Sequence, residues 1–198
     1  SQNSLKANSL IPVFPSKTFP NHYSIATGLY AENHGLIANS FYEPKSNKHY
    51  KIYDRKAVES DYWYGGEPIW VTARKQQMVT ASYFWVGSEA PIKGLFPNYY
   101  YKYDGKVPGE TRVDQVLDWL KLPPREWPHL ITLYFSKVDS AGHRYGPNSK
   151  ELKEALFQVD DYFNRLLQGL KKINFPVNII LVSDHGMSTI DSKHVLEI

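Results

Sequence analysis

Pro15-Ser-Lys-Thr-Phe-Pro-Asn-His-Tyr-Ser-Ile-Ala-Thr-Gly-Leu-Tyr30 is the stretch on which the fold turns. An apolar run, Leu10-Ile-Pro-Val-Phe14, leads into it and predicts a strand. A short helical pattern then opens near Thr18 and Pro20 and ends at Gly28. Proline suits the first turn of a helix, where its missing N–H would be unpaired anyway. The pattern is therefore strand, sharp turn, helix, with Thr18 beside the free N–H groups. A helix N-terminus favours negative charge, so a hydroxyl there loses its proton more readily than one in water. The alternative is that Thr18 simply caps the helix. The segment by itself leaves both open.

Downstream, strand patterns alternate with helix patterns. The segment 43–66 is polar and ends in Gly65-Gly66, which predicts a long surface loop or insertion. Glu67 to Gln77 predicts a helix with Pro68 in its first turn, and Met78 to Trp85 a strand. Residues 86–110 are expected to be irregular, with a tyrosine cluster running into Asp104-Gly105. Val113, Val116, Leu117 and Leu120 have amphipathic helix spacing, stopped by Pro123-Pro124. Leu130 to Phe135 alternates little, as in a sheet covered on both faces. A longer helix is expected over about 150–172, and Val177 to Val182 as the last strand. This order predicts an α/β fold with a mostly parallel sheet flanked by helices.

Asp139 closely follows one of the two clearest strands, and Asp184 follows the other. Ligands in open α/β sheets bind outside the carboxyl ends of the strands, so the pattern sends Thr18, Asp139 and Asp184 to one edge. Asp139-Ser-Ala-Gly-His143 sets a carboxylate and an imidazole four residues apart in a glycine-containing turn; Asp184-His185 sets the same pair side by side. Each pair has an ordinary explanation, a capping carboxylate and a hydrogen-bonded surface histidine. Both pairs also supply oxygen and nitrogen donors of the kind Zn²⁺ accepts. Two such pairs at one sheet edge, in a chain with 7 His, point with Thr18 to a two-metal site for in-line displacement.

Composition narrows the classes. With 198 residues, one domain is expected, with enough apolar residues for a core. The net charge of +3 is spread out, which permits an anionic substrate but carries no signature of specific nucleic-acid binding. The 15 Tyr and 5 Trp suit a pocket that stacks flat ligands and serve equally as core residues. Cysteine is absent, so any metal must be held by histidine and carboxylate. No apolar run is long enough to span a membrane. The polar opening Ser1-Gln-Asn-Ser reads as cut from something longer.

Lys17-Thr-Phe-Pro-Asn-His22, Thr27-Gly-Leu-Tyr30, Asn33-His-Gly35, Gly66-Glu-Pro-Ile-Trp70, Asp139-Ser-Ala-Gly-His143, Gly146-Pro147 and Ser183-Asp-His-Gly-Met187 occur together and in order. From about Ser9 to about Met187, this set closely resembles the nucleotide pyrophosphatase/phosphodiesterase family, a branch of the alkaline phosphatase superfamily. The resemblance implies an alkaline-phosphatase-like fold, incomplete at both ends, with residues 1–198 forming part of one catalytic domain. It implies that Thr18 is the nucleophile, forming a covalent nucleotidyl-threonine, and a ligand of the zinc held by Asp184 and His185. Asp139 and His143 would hold a second zinc, which activates water for the second step. Asn39 would donate to a non-bridging phosphoryl oxygen, and Phe19 and Tyr103 would sandwich the nucleobase.

The family's further metal-binding Asp, in an Asp-Gly motif before the nucleophile, and its last histidine ligand have no counterpart here. His194 lies too close behind His185 to serve as that ligand. Each of the two Zn²⁺ ions is therefore expected to need one further ligand. The implied activity is hydrolysis of nucleotide phosphodiester or pyrophosphate bonds to a nucleoside 5′-monophosphate. Lysophospholipid or choline phosphodiesters are the alternative substrates, and family members that take lipids tend to lack an insertion like 43–66. Gly65 stands where nucleotide enzymes often carry lysine. A sulfatase would need a Cys/Ser-x-Pro-x-Arg motif that the chain lacks, and a monoesterase would need an additional cationic group. A non-catalytic binding module that keeps the fold is the alternative from another class, and intact Thr18, Asn39 and both Asp/His pairs argue against it. Family members act outside the cytoplasm, which implies a periplasmic or secreted setting. The lack of cysteine departs from the disulfide-rich animal members and leans toward a bacterial one.

Overall fold

The computed structural model describes residues 4–190. Chain order begins with helix α1, Thr18–Thr27, which ends where Gly28 turns left-handed at φ 70°. A short helix α2, Ala31–His34, and an antiparallel hairpin follow, formed by β1, Ser40–Glu43, and β2, Lys48–Lys51. After α3, Arg55–Val58, and α4, Ile69–Lys75, come the parallel strands β3, Thr80–Tyr83, and β4, Tyr99–Tyr101. Helix α5, Gly109–Trp119, leads to β5, Leu130–Leu133, then to α6, Lys137–Tyr145, and α7, Lys150–Leu170.

The sheet order is β4-β3-β5, parallel throughout, with Thr80 opposite Leu130 and Ala81 opposite Tyr99. The expected α/β architecture with a parallel sheet and flanking helices is what the structure contains. Strand β3 is buried along its whole length, as a central parallel strand should be.

Two apolar clusters hold these layers. One packs Ala81, Tyr83, Phe84, Val116, Trp119 and Leu120 between the sheet and α5. The other gathers Tyr23 of α1, Leu36, Trp70 and Val71 of α4 with Tyr50, Trp63 and Tyr64. Those last three belong to the segment expected as a loop or insertion. It has its own secondary structure, and the Tyr50 hydroxyl meets that of Tyr64 at 3.1 Å.

Five local expectations are corrected. Leu10 to Phe14 forms no strand, and Ile11 and Phe14 are 84% and 89% exposed. Val177 to Val182 also forms no strand, and no strand among the described residues pairs with it. Residues 86–110 are not wholly irregular, since Tyr99–Tyr101 pairs with β3. The Asp139–His143 motif lies on helix α6 rather than in a turn. The start of α4 is also shifted: Pro68 is its N-cap and lies just outside the first turn.

Candidate active site

Helix α1 begins at Thr18 with Lys17 as N-cap, and no side chain caps it locally. The capping role left open for Thr18 therefore does not apply. The Thr18 hydroxyl instead lies 3.4 Å from His185 Nε2. The next N–H, that of Phe19, donates to Asn39 Oδ1 at 3.0 Å. Asn21, nearly fully buried, knits the incoming chain onto this helix. Its Oδ1 accepts from Val13 N–H at 2.7 Å, and its Nδ2 donates to the carbonyls of Lys17 and Pro15.

His185 is oriented by its other ring nitrogen, since Nδ1 lies 2.9 Å from the Gly186 carbonyl oxygen. A carbonyl only accepts, so Nδ1 carries the proton and Nε2 presents a lone pair. That lone pair faces the Thr18 hydroxyl and also Asp184 Oδ2, at 3.2 Å. Two electron-rich atoms that close repel unless a cation or proton lies between them. The donor set beside Thr18 thus fits a metal such as zinc. Burial pushes the Asp184 carboxyl up, but the hydrogen bond from His22 and the nearby imidazoles of His22 and His185 outweigh it and hold it below its ordinary value.

On α6, Asp139 Oδ1 is 3.4 Å from His143 Nε2, the one-turn spacing of a helix. Asp139 Oδ1 is buried with no hydrogen-bond partner, which also fits a metal ligand. Among the described residues, no three His, Asp or Glu side chains enclose a metal by themselves. His194 lies outside the described residues.

Tyr134, at the end of β5, connects the two pairs. Burial pushes its phenol up, and Tyr103, Asp184 and Asp139 add to the shift. Met187, three residues past Asp184, packs on α6 where a Cβ at Gly142 would come 2.7 Å from its sulfur. That glycine allows the Asp184 loop to sit against the helix bearing Asp139 and His143. Phe19 packs toward Tyr50, with ring centroids 6.1 Å apart. Tyr103 lies edge-on to Phe84, and its hydroxyl donates to Ser136 at 3.1 Å. Phe19 and Tyr103 share no direct ring contact.

Sequence reasoning did not assign roles to three residues at the site. His22 reaches both the Thr18 carbonyl oxygen, at 2.8 Å, and Asp184. Tyr134 feels both Asp139 and Asp184, and its ring meets that of His22 edge-on. Arg112, 4% exposed, donates to the carbonyls of Tyr134 and Val107 and stacks over Phe84, pinning the Tyr103 loop to the end of β5. An arginine within an amphipathic helix pattern gave no signal of burial.

The family described as type I phosphodiesterase / nucleotide pyrophosphatase matches residues 1–198. The human ectonucleotide pyrophosphatase/phosphodiesterase family member 1 is 50% identical over 178 residues, 89% of this chain and 19% of that protein. The venom phosphodiesterase CdcPDE of Crotalus durissus collilineatus is 46% identical over 180 residues, 90% of this chain and 22% of that one. Murine ectonucleotide pyrophosphatase/phosphodiesterase 5 superposes with a TM-score of 0.79 at 33% identity, covering 84% of this chain and 44% of that one. The same murine protein has also been solved as an inactive threonine-to-alanine variant in complex with AMP. These are animal proteins, and the chain spans a minor part of each. Its ordered motifs, its parallel sheet and these likenesses agree: the chain belongs to the type I phosphodiesterase/nucleotide pyrophosphatase family.

Proposed function

We propose that the protein containing this chain hydrolyses nucleotide phosphodiester or pyrophosphate bonds, with residues 1–198 forming part of one catalytic domain. The observation that carries this is the Thr18 hydroxyl at the N-terminus of α1, facing the His185 lone pair at 3.4 Å. Thr18 would attack phosphorus, forming its Oγ1–P bond as the bond to the leaving group breaks. Water would then attack the nucleotidyl-threonine, releasing a nucleoside 5′-monophosphate and restoring the hydroxyl. The helix N-terminus supports the developing alkoxide.

Asp184, His185 and Thr18 would hold one zinc, and Asp139 and His143 the other, each completed by one further ligand. Bound there, zinc would supply Lewis-acid stabilisation and lower the pKa of a hydroxyl or water. Asn39, with Oδ1 engaged by Phe19 N–H, offers Nδ2 to a phosphoryl oxygen. Phe19 and Tyr103 would flank the base. The names of the relatives, and the AMP held by the inactive murine variant, support a small nucleotide substrate and an extracytoplasmic setting. No helix among the described residues is long and apolar enough to cross a membrane.

The folded 43–66 segment favours nucleotides over lipids. Its Tyr50 packs beside Phe19, so the segment stands against a residue assigned to the base. Thr18→Ala in the full-length protein should abolish hydrolysis of a thymidine monophosphate nitrophenyl ester. Retention of the wild-type rate would refute the nucleophile assignment. Faster turnover of a choline phosphodiester than of the nucleotide ester would refute the substrate class.

A further inference from the structure

The loop that carries Asp184 and His185 has little backbone support. Among the described residues, no backbone hydrogen bond ties 177–187 to the rest of the protein. Its position depends on side chains: the Thr18–His185 approach, Met187 against Gly142, and the contact of His22 with Asp184.

His22 is 5% exposed and tightly held. Its ring meets Trp85 and Tyr134 edge-on, each at 4.9 Å, and its own carbonyl accepts the Trp85 indole N–H at 3.1 Å. Nδ1 lies 2.8 Å from the Thr18 carbonyl oxygen and 3.4 Å from Asp184 Oδ2. Because a carbonyl can only accept, Nδ1 carries the proton and donates it to Thr18, with Asp184 Oδ2 3.4 Å from the same nitrogen.

We propose that His22 is a positioning residue that sets Asp184 against Thr18, its Nδ1–H shared between the nucleophile's carbonyl and the Asp184 carboxylate. The inference rests on the roles given above to Thr18 and Asp184. The contact engages one lone pair of Asp184 Oδ2, the oxygen that also faces His185 Nε2, and so fixes how the carboxylate is turned. It also ties the Asp184 loop to the turn of helix that presents the Thr18 hydroxyl. Partners that orient a metal-binding carboxylate commonly matter about 10–100-fold for metal affinity or activity.

The test uses the full-length protein. His22→Phe keeps the ring and its contacts with Trp85 and Tyr134 but removes the donor. It should lower kcat about 10–100-fold with little change in KM, and zinc should be lost faster to a chelator, followed by metal analysis. His22→Asn places an amide N–H close to the position of Nδ1 and should restore most of both properties. His22→Gln carries its amide N–H one methylene further out and should not.

Wild-type kcat and zinc retention in His22→Phe would overturn the proposal, as would equal behaviour of the Asn and Gln variants. The second comparison decides the matter if His22→Phe fails to fold. Thr18→Ala separates the two levels. If it retains activity the catalytic reading falls, while zinc retention across the His22 series still tests the positioning role.

Discussion

Asn39 owes its orientation to one contact: its Oδ1 accepts the Phe19 N–H at 3.0 Å, which turns Nδ2 outward as a donor. The acceptor end stabilises the start of α1, and in the proposed mechanism the donor end would meet a phosphoryl oxygen. Asn39→Ala should therefore lower kcat about 10²–10³-fold, the usual loss for a preplaced donor to transition-state charge. Asn39→Asp should do no better, since the Phe19 N–H contact survives but the donor is gone. A kcat within a few-fold of wild type for Asn39→Ala would remove this residue from the mechanism. At this scale Thr18 and both Asp/His pairs stood out by residue type and spacing, whereas Asn39 was named only through the family resemblance. The contact of His22 with Asp184 was not legible, since it forms only through tertiary folding.

At the scale of elements, α5 links packing to the site. Arg112 on this helix grips the carbonyls that end β5 and the Tyr103 loop, while Gly109 at its start meets α7. A Cβ at Gly109 would lie 2.1 Å from the ring of buried Tyr162, and Gly169 of α7 leaves similar room for Leu117. The two helices thus approach where neither could carry a side chain. Gly109→Ala should destabilise the fold by about 1–3 kcal/mol, the usual cost of overpacking a well-filled contact. Denaturant unfolding measures this directly, and an unchanged midpoint would show that the helices can part without cost. The helices α5 and α7 were legible from their apolar spacing, as was the buried run of β5. Tyr99–Tyr101 was not, because three consecutive tyrosines neither alternate nor extend far enough to signal a strand. The Asp139–His143 helix was also missed, because Gly142 reads locally as a turn residue although it serves Met187 packing.

For the whole molecule, the exposed apolar runs matter most. Ile11, Phe14, Ile180 and Leu181 are all more than two-thirds exposed, and two of the runs that look most like strands have no ladder. Side-chain pattern identifies a segment fit for burial in a sheet; it cannot say whether a neighbour is present to satisfy its N–H and C=O groups. The chain covers 44% of the murine relative with which it superposes, so the same segments have further chain available to pair with in a protein of that length. Residues 1–198 expressed alone should therefore bind a hydrophobic dye strongly and self-associate, whereas the full-length protein should do neither. Size-exclusion chromatography with light scattering distinguishes these outcomes. A monodisperse, dye-silent monomer of residues 1–198 would mean that the exposed runs find cover within this chain. Replacing Ile180 and Leu181 together with Thr and Lys should reduce association of the isolated chain, because charge on an open strand edge opposes pairing with another copy. The same double change in a protein as long as that relative should lower its stability if further chain pairs with the run there, which denaturant unfolding measures.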